Sequence, residues 1–236
     1  MKRDTIENGA IAIKGIVAAI PTLGSTIASV WSDIEALQAK RKQERLEEYF
    51  VALHEEVEVL KDKINFTYIN QPDFLDIFEL TSQYIVNERT EEKRIFFRNI
   101  LISSFINEDC SYDKTERFLR ILDQMNYLEL LILKALQDPE RFNEQNGEII
   151  KDPNWIKPGV RNGVQFSTAY NFVEMLSELL HVSKEDVAEA VYFLEANRLV
   201  LDNVSLYKLQ TNGHPIHTIK DKLTSKGKNF VSFIIR

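Results

Sequence analysis

One cysteine, Cys110, stands among 236 residues, which excludes an internal disulfide and leaves no thiolate cluster for a metal. The chain therefore fits a reducing cytoplasm. Eight glycines and six prolines are too few for an all-β chain built on tight turns. Excess positive charge is also missing. The 29 Lys and Arg against 36 Asp and Glu leave a net charge of −7, which disfavours general nucleic-acid binding. No Walker loop, G-x-G-x-x-G, G-x-S-x-G or H-E-x-x-H occurs. Of His54, His181, His214 and His217, only the last two are close, and a pair across a proline lacks the third ligand a metal needs. Cys110 lies between Asp109 and Ser111, with no basic side chain nearer than Lys114 to lower its pKa. A non-enzyme with no cofactor and no metal is the expectation. Disorder is ruled out, because a chain 44% apolar and 28% charged can bury a core. The length fits one large domain or two small ones.

Charge is scarce at the N-terminus as well, where Lys14 is the one charged residue between Glu7 and Asp33. Lys2 and Arg3 could open a secretory signal, but Asp4, Glu7 and Lys14 spoil it. Gly15 to Ser32 supplies 18 uncharged residues, close to a spanning length, though diluted by Gly, Ala, Ser and Thr. Pro21 removes a helical hydrogen bond and is expected to split the run into pieces near 5–20 and 22–60. Gly15/Ala19, Gly24/Ala28 and Ser25/Ser29 have the small-xxx-small spacing that lets helices approach closely. Gly15, Ala19, Pro21, Gly24 and Ala28 are thus the candidate membrane or helix-packing residues. Lys40, Arg41, Lys42 and Arg45 follow, placed as contacts to anionic lipid. Two readings of the segment at 9–32 stand: a buried helix pair in a soluble bundle, and a masked membrane-active segment released on activation. A constitutive spanning helix is a third.

The rest of the first half is strongly helical. Apolar residues from Ile34 and Leu37 through Leu46, Phe50, Leu53, Val57 and Ile64 recur at three- and four-residue steps, predicting one long amphipathic helix over 33–64. Its stripe suits a core better than self-association as a coiled coil. Pro72 opens a further helix, Thr90 can cap the next, and EEKRIFFRNILISSFIN is apolar around most of its circumference, so it belongs at the centre of a bundle. Asp113 can cap a helix carrying Phe118, Leu119 and Leu122, and Asn126 with Glu129 resembles a capping box before LELLILKAL. Glu91 to Arg94 reads as a solvated first turn rather than acid/base chemistry. No strand is expected before residue 160.

A polar insertion at 138–163, with three of the six prolines, reads as a surface loop. Helices follow near 168–180 and from the Ser183 N-cap, then strand-like LVLDN, SLYKL and HTIKDKL, then a short helix, KGKNFVSFII. That is a winged helix-turn-helix order, and L-T-x-x-G at Leu223–Gly227 looks like its closing wing. The would-be recognition helix is acidic at the end that would meet bases, carrying Glu185, Asp186 and Glu189. Residues 205–236 hold 6 basic side chains against 1 acidic, so Lys208, Lys220, Lys222, Lys226 and Lys228 are candidate non-specific phosphate contacts.

Taken together, IPTLGSTIASVWSDI, the basic KRKQER stretch, RTEEKRIFFRNILISSF and the winged-helix tail resemble bacterial and prophage-borne proteins of the abortive-infection alpha type, linked to anti-phage defence. The resemblance covers most of the chain in order and texture and carries over no catalytic residue. It implies a defence component whose N-terminal helices disturb membranes while the remainder senses a signal or partner. The expected fold is mainly α: a helical bundle over 1–124, then a winged-helix-like α+β domain over 125–236. Its expected partner is another protein or a second copy, with inner-membrane contact on activation from a cytoplasmic resting state. A DNA-associated winged-helix regulator is the alternative, its nucleic-acid contact non-specific.

Overall fold

The computed structural model describes residues 2–36, 40–69, 71–106, 110–146, 158–161, 164–167, 171–206 and 219–235. They are mainly helical and divide into two compact units, Met1–Gln124 with Phe233–Arg236, and Met125–Ser232.

The first unit opens with α1 (Lys2–Ala19). Pro21 stops it, a 3-10 turn runs over Pro21–Leu23, and α2 (Gly24–Ala36) follows. Then come α3 (Lys40–Leu60), a single turn α4 (Phe66–Ile69), α5 (Pro72–Asn87), α6 (Glu91–Ile106) and α7 (Tyr112–Gln124). The helix expected as one piece over 33–64 ends at Leu60, where Lys61–Lys63 tighten into a 3-10 turn; residues 37–39 lie outside the described set. α1 lies along α3, α2 packs on α5 and α3, and α6 packs against α3, α5 and α7. The core is aromatic. Phe50, Phe74, Phe78, Phe97 and Phe105 are fully buried, with Phe50 stacked on Phe78 and Tyr84 on Phe97. Offset and edge-on ring pairs of this kind add roughly 0.5–1.5 kcal/mol each beyond their area.

α6 is buried on nearly every side from Phe96 to Phe105, yet Asn99, Ser103 and Ser104 sit within that span. Their polar atoms have a definite use. Asn99 Nδ2 donates to the Ile234 carbonyl at 2.8 Å and Ser103 Oγ to the Phe233 carbonyl at 3.3 Å. A helix end leaves four carbonyls without partners, and these two side chains satisfy two of them at the chain's C-terminus.

The second unit contains α8 (Tyr127–Gln137), α9 (Pro139–Gln145), β1 (Pro158–Arg161), β2 (Val164–Ser167), α10 (Phe172–Leu180), α11 (Lys184–Ala196) and α12 (Ser225–Ile234), the last two residues of α12 grouping with the first unit. Asn126 forms the expected capping box with Glu129. His181 ends α10 in the left-handed region (φ 54°), and Ser183 Oγ accepts from the Asp186 N–H to start α11. The core gathers Ile132, Leu136, Phe172, Leu176, Val191 and Phe230.

Two expectations are corrected here. The insertion at 138–163 is not a plain loop: Asp138 caps α9 with Pro139 at its first position, and β1 pairs antiparallel with β2, Gly159 opposite Phe166. The described parts of the stretches expected as strands after α11 also pair very little. Among the described residues LVLDN and HTIKDKL meet at a single antiparallel bridge, Val200 to Leu223, and beyond it Asn203 turns left-handed (φ 58°) and Val204–Leu206 coil into a 3-10 turn. Ser205 N–H is held by Glu195 on α11 instead of a strand partner. The remainder of SLYKL lies outside the described residues.

Candidate functional site

The N-terminal segment places its apolar side chains on one stripe that crosses the Pro21 break. Ala12, Ile16, Ile20, Leu23, Ile27, Val30 and Ile34 are buried at three- and four-residue steps, while Lys14, Pro21, Thr22, Ser25, Ala28, Ser29 and Ser32 face solvent. Ile11, 63% exposed, lies off the stripe, as do Ala10 and Ala18, and Ile13, Val17 and Trp31 flank it half-buried.

The small residues do not all do what their spacing suggests. A Cβ on Gly15 would lie 2.1 Å from the His54 ring, so α1 crosses α3 with the imidazole against its backbone. Gly9 sits 3.4 Å from the Glu47 side chain by the same measure. Gly24 has ordinary room, its nearest neighbour being Val17 at 3.5 Å, Ala19 is half-buried, and Ala28 is exposed. The close helix approach is therefore at Gly15, not at Gly24/Ala28 or Ser25/Ser29.

That contact is polar as well as tight. His54 Nδ1 is buried with no hydrogen-bond partner. Glu47 is 4% exposed, and burial, with Glu44 and Glu48 nearby, pushes its carboxyl above the usual range. An unpaired polar nitrogen and a desolvated carboxyl each weaken the interface that covers them.

The four basic residues at the start of α3 are not equivalent. Lys40 pairs with Glu44 one turn on at 3.6 Å, and Arg41 is exposed. Lys42 Nζ donates to Asn87 Oδ1 at 2.6 Å and Arg45 Nη1 to the Val86 carbonyl at 2.9 Å, so these two hold the end of α5.

In the second unit, Lys220 pairs with Glu140 at 3.0 Å, and that carboxylate holds the ammonium above its usual pKa. Lys226 Nζ donates to the Asn197 carbonyl at 2.7 Å, Lys222 is half-buried, and Lys228 is exposed. Lys208 lies outside the described residues. Pro139, Glu140, Lys220, Asp221 and Lys228 line a cleft of about 340 Å³. α11 presents Glu185, Asp186, Glu189 and Tyr192 to solvent, Tyr192 at 72% exposure.

The Cys110 sulfur lies 3.0 Å from Thr115 Oγ1, and burial pushes its thiol up. No group of three or more His, Cys, Asp or Glu among the described residues is arranged to hold a metal. No described helix is long and apolar enough to cross a membrane. Sequence reasoning missed His54 and Glu47 as α1 contacts, since nothing near them in the chain marks the face they share with Gly15 and Gly9. It also missed Arg94 and Arg98, whose spacing of four puts them on one face of α6.

No family model, no curated protein and no solved structure matches this chain.

Proposed function

We propose that the chain is a non-enzymatic defence protein in which α1 and α2 are a masked membrane-active layer. The observation that supports the masked layer is the continuous buried stripe from Ala12 to Ile34 set opposite a face of small and polar residues. Such a pair of helices is amphipathic, so it is suited to lie in a bilayer surface rather than span it. Its seat on α3 lies against the buried Glu47 side chain and the His54 ring, whose polar atoms regain water when α1 leaves, and this lowers the cost of release. The defence role itself is supported by the sequence resemblance.

The second unit is read as an interaction module of winged-helix order: α8, α10 and α11, the Val200–Leu223 bridge, then α12. An acidic first turn on α11 and the engagement of Lys220 and Lys226 by Glu140 and Asn197 favour a protein partner over a nucleic-acid one.

The test uses point changes, because α1 and α2 cover α3 and α5 and their deletion strips the core. Wild type, Gly15→Leu and Gly15→Leu with Ile27→Glu are induced at matched levels while growth and membrane potential are followed. Gly15→Leu should depolarise cells and arrest growth where wild type does not, and Ile27→Glu should reverse both. Arrest without depolarisation, or no arrest, would refute the membrane-effector reading.

A further inference from the structure

A second recess lies in the first unit, about 290 Å³ in volume, between α3, α5 and the start of α6. Three guanidinium groups line it: Arg45 on α3, and Arg94 and Arg98 on α6. Its other walls are Tyr49, Ala52, Ile85 and Ile95, with Glu48 and Glu91 as the acidic members. Counting Glu56, which bonds Arg98, three guanidinium groups and three carboxylates meet at this recess, so its charge is balanced while its donors are concentrated, on a chain whose net charge is −7.

Each guanidinium is held by a hydrogen bond. Arg45 Nη1 donates to the Val86 carbonyl, Arg94 Nη1 to the Arg89 carbonyl at 3.0 Å, and Arg98 Nε to Glu56 at 3.0 Å. A guanidinium has five N–H donors, so these bonds orient the groups and leave donors over. Arg94 and Arg98 are only 17% and 20% exposed, and Arg94 meets the largely exposed Glu48 at a loose 3.8 Å. Arg45 has no carboxylate partner among the described residues. Glu91 brings the first turn of the 16-residue α6, with its positive dipole end, to the same recess.

We infer that this recess binds a small phosphomonoester carrying a flat apolar body. Its phosphate would take the forked donors of Arg45, Arg94 and Arg98, its three terminal oxygens offering more than one guanidinium a two-oxygen edge, which a carboxylate with two oxygens offers only once. The apolar body would lie on Ala52 and Ile95, the half-buried and exposed apolar members of the lining. The volume is at the small end of ligand pockets, which selects an aryl phosphate or a mononucleotide over anything larger.

The test is titration calorimetry on the full chain with phenyl phosphate, adenosine monophosphate, inorganic phosphate and benzoate. Phenyl phosphate or the mononucleotide should bind at least about tenfold more tightly than inorganic phosphate or benzoate, by roughly 1.4 kcal/mol per tenfold. Arg45→Met and Arg98→Met should each weaken that binding by about tenfold or more, and Lys220→Met should leave it unchanged. Should an arginine variant fail to fold, Ala52→Leu decides, since it fills the recess without removing a charge and should block binding. Binding that survives Ala52→Leu, or equal affinity for inorganic phosphate or for benzoate, would overturn the proposal. None of these outcomes bears on release of α1.

Discussion

Gly15 and Gly24 look alike in the sequence, each followed four residues later by alanine, yet they differ in what they touch. Gly15→Ala drives a methyl group into the His54 ring and should destabilise the first unit by about 1–3 kcal/mol in a denaturant titration. Gly24→Ala meets only ordinary contact and should raise stability by about 0.4–1 kcal/mol, because alanine loses less backbone entropy. Equal effects of the two changes would contradict the packing described. Glu47 offers a pH-dependent counterpart. Burial raises its folded-state pKa, so its ionisation opposes folding once pH rises above the ordinary carboxylate value. Glu47→Gln should therefore melt higher than wild type at neutral pH, and the gap should close in acid, where the wild-type carboxyl is protonated in both states. A gap that persists in acid would argue against a desolvated carboxylate. Which glycine packs closely was not legible in the sequence, because the spacing of small residues gives the face of a helix but not the partner that covers it.

At the scale of elements, local chemistry was the legible part. Pro21 ends α1, Asn126 and Glu129 box the start of α8, and Ser183 caps α11, all from signals within three or four residues. Asn171 and Glu174 form a second capping box that the sequence shows equally well once the helix start is placed at Phe172. Asn171→Ala should cost about 1 kcal/mol of stability in the second unit. Glu174 is further held by Lys184 at 2.8 Å, and this bond lowers its pKa below the usual range. Its contribution is thus present above the unfolded carboxylate pKa and lost as pH falls through the folded one. Melting of Glu174→Gln against wild type should show a difference near neutrality that shrinks in acid, and a constant difference would count against the bond. The stretches expected as strands after α11 were the illegible part. Their alternation is real, but the left-handed turn at Asn203 and the hold of Glu195 on Ser205 are tertiary choices that outweigh strand propensity.

For the whole molecule, the described residues form two units that meet in sequence at Gln124 and Met125, with the chain's last residues returning to the first unit. Asn99 and Ser103 receive that return through the Ile234 and Phe233 carbonyls, a pairing across more than half the chain that no local pattern could announce. Gly227 is similarly fixed at a distance. A Cβ there would lie 1.9 Å from the Leu199 carbonyl oxygen, so Gly227→Ala should destabilise the second unit by about 3 kcal/mol or more, read as early loss of its helical signal on heating. As proposed above, α1 and α2 form a packed layer that becomes membrane-active when released. Co-flotation of purified protein with phosphatidylglycerol vesicles, run beside a melting curve on the same samples, tests it most directly. Wild type should remain below the vesicles, and Gly15→Leu should melt lower and float with them. A Gly15→Leu protein that melts lower yet stays below the vesicles would contradict the claim and leave α1 and α2 as core helices only.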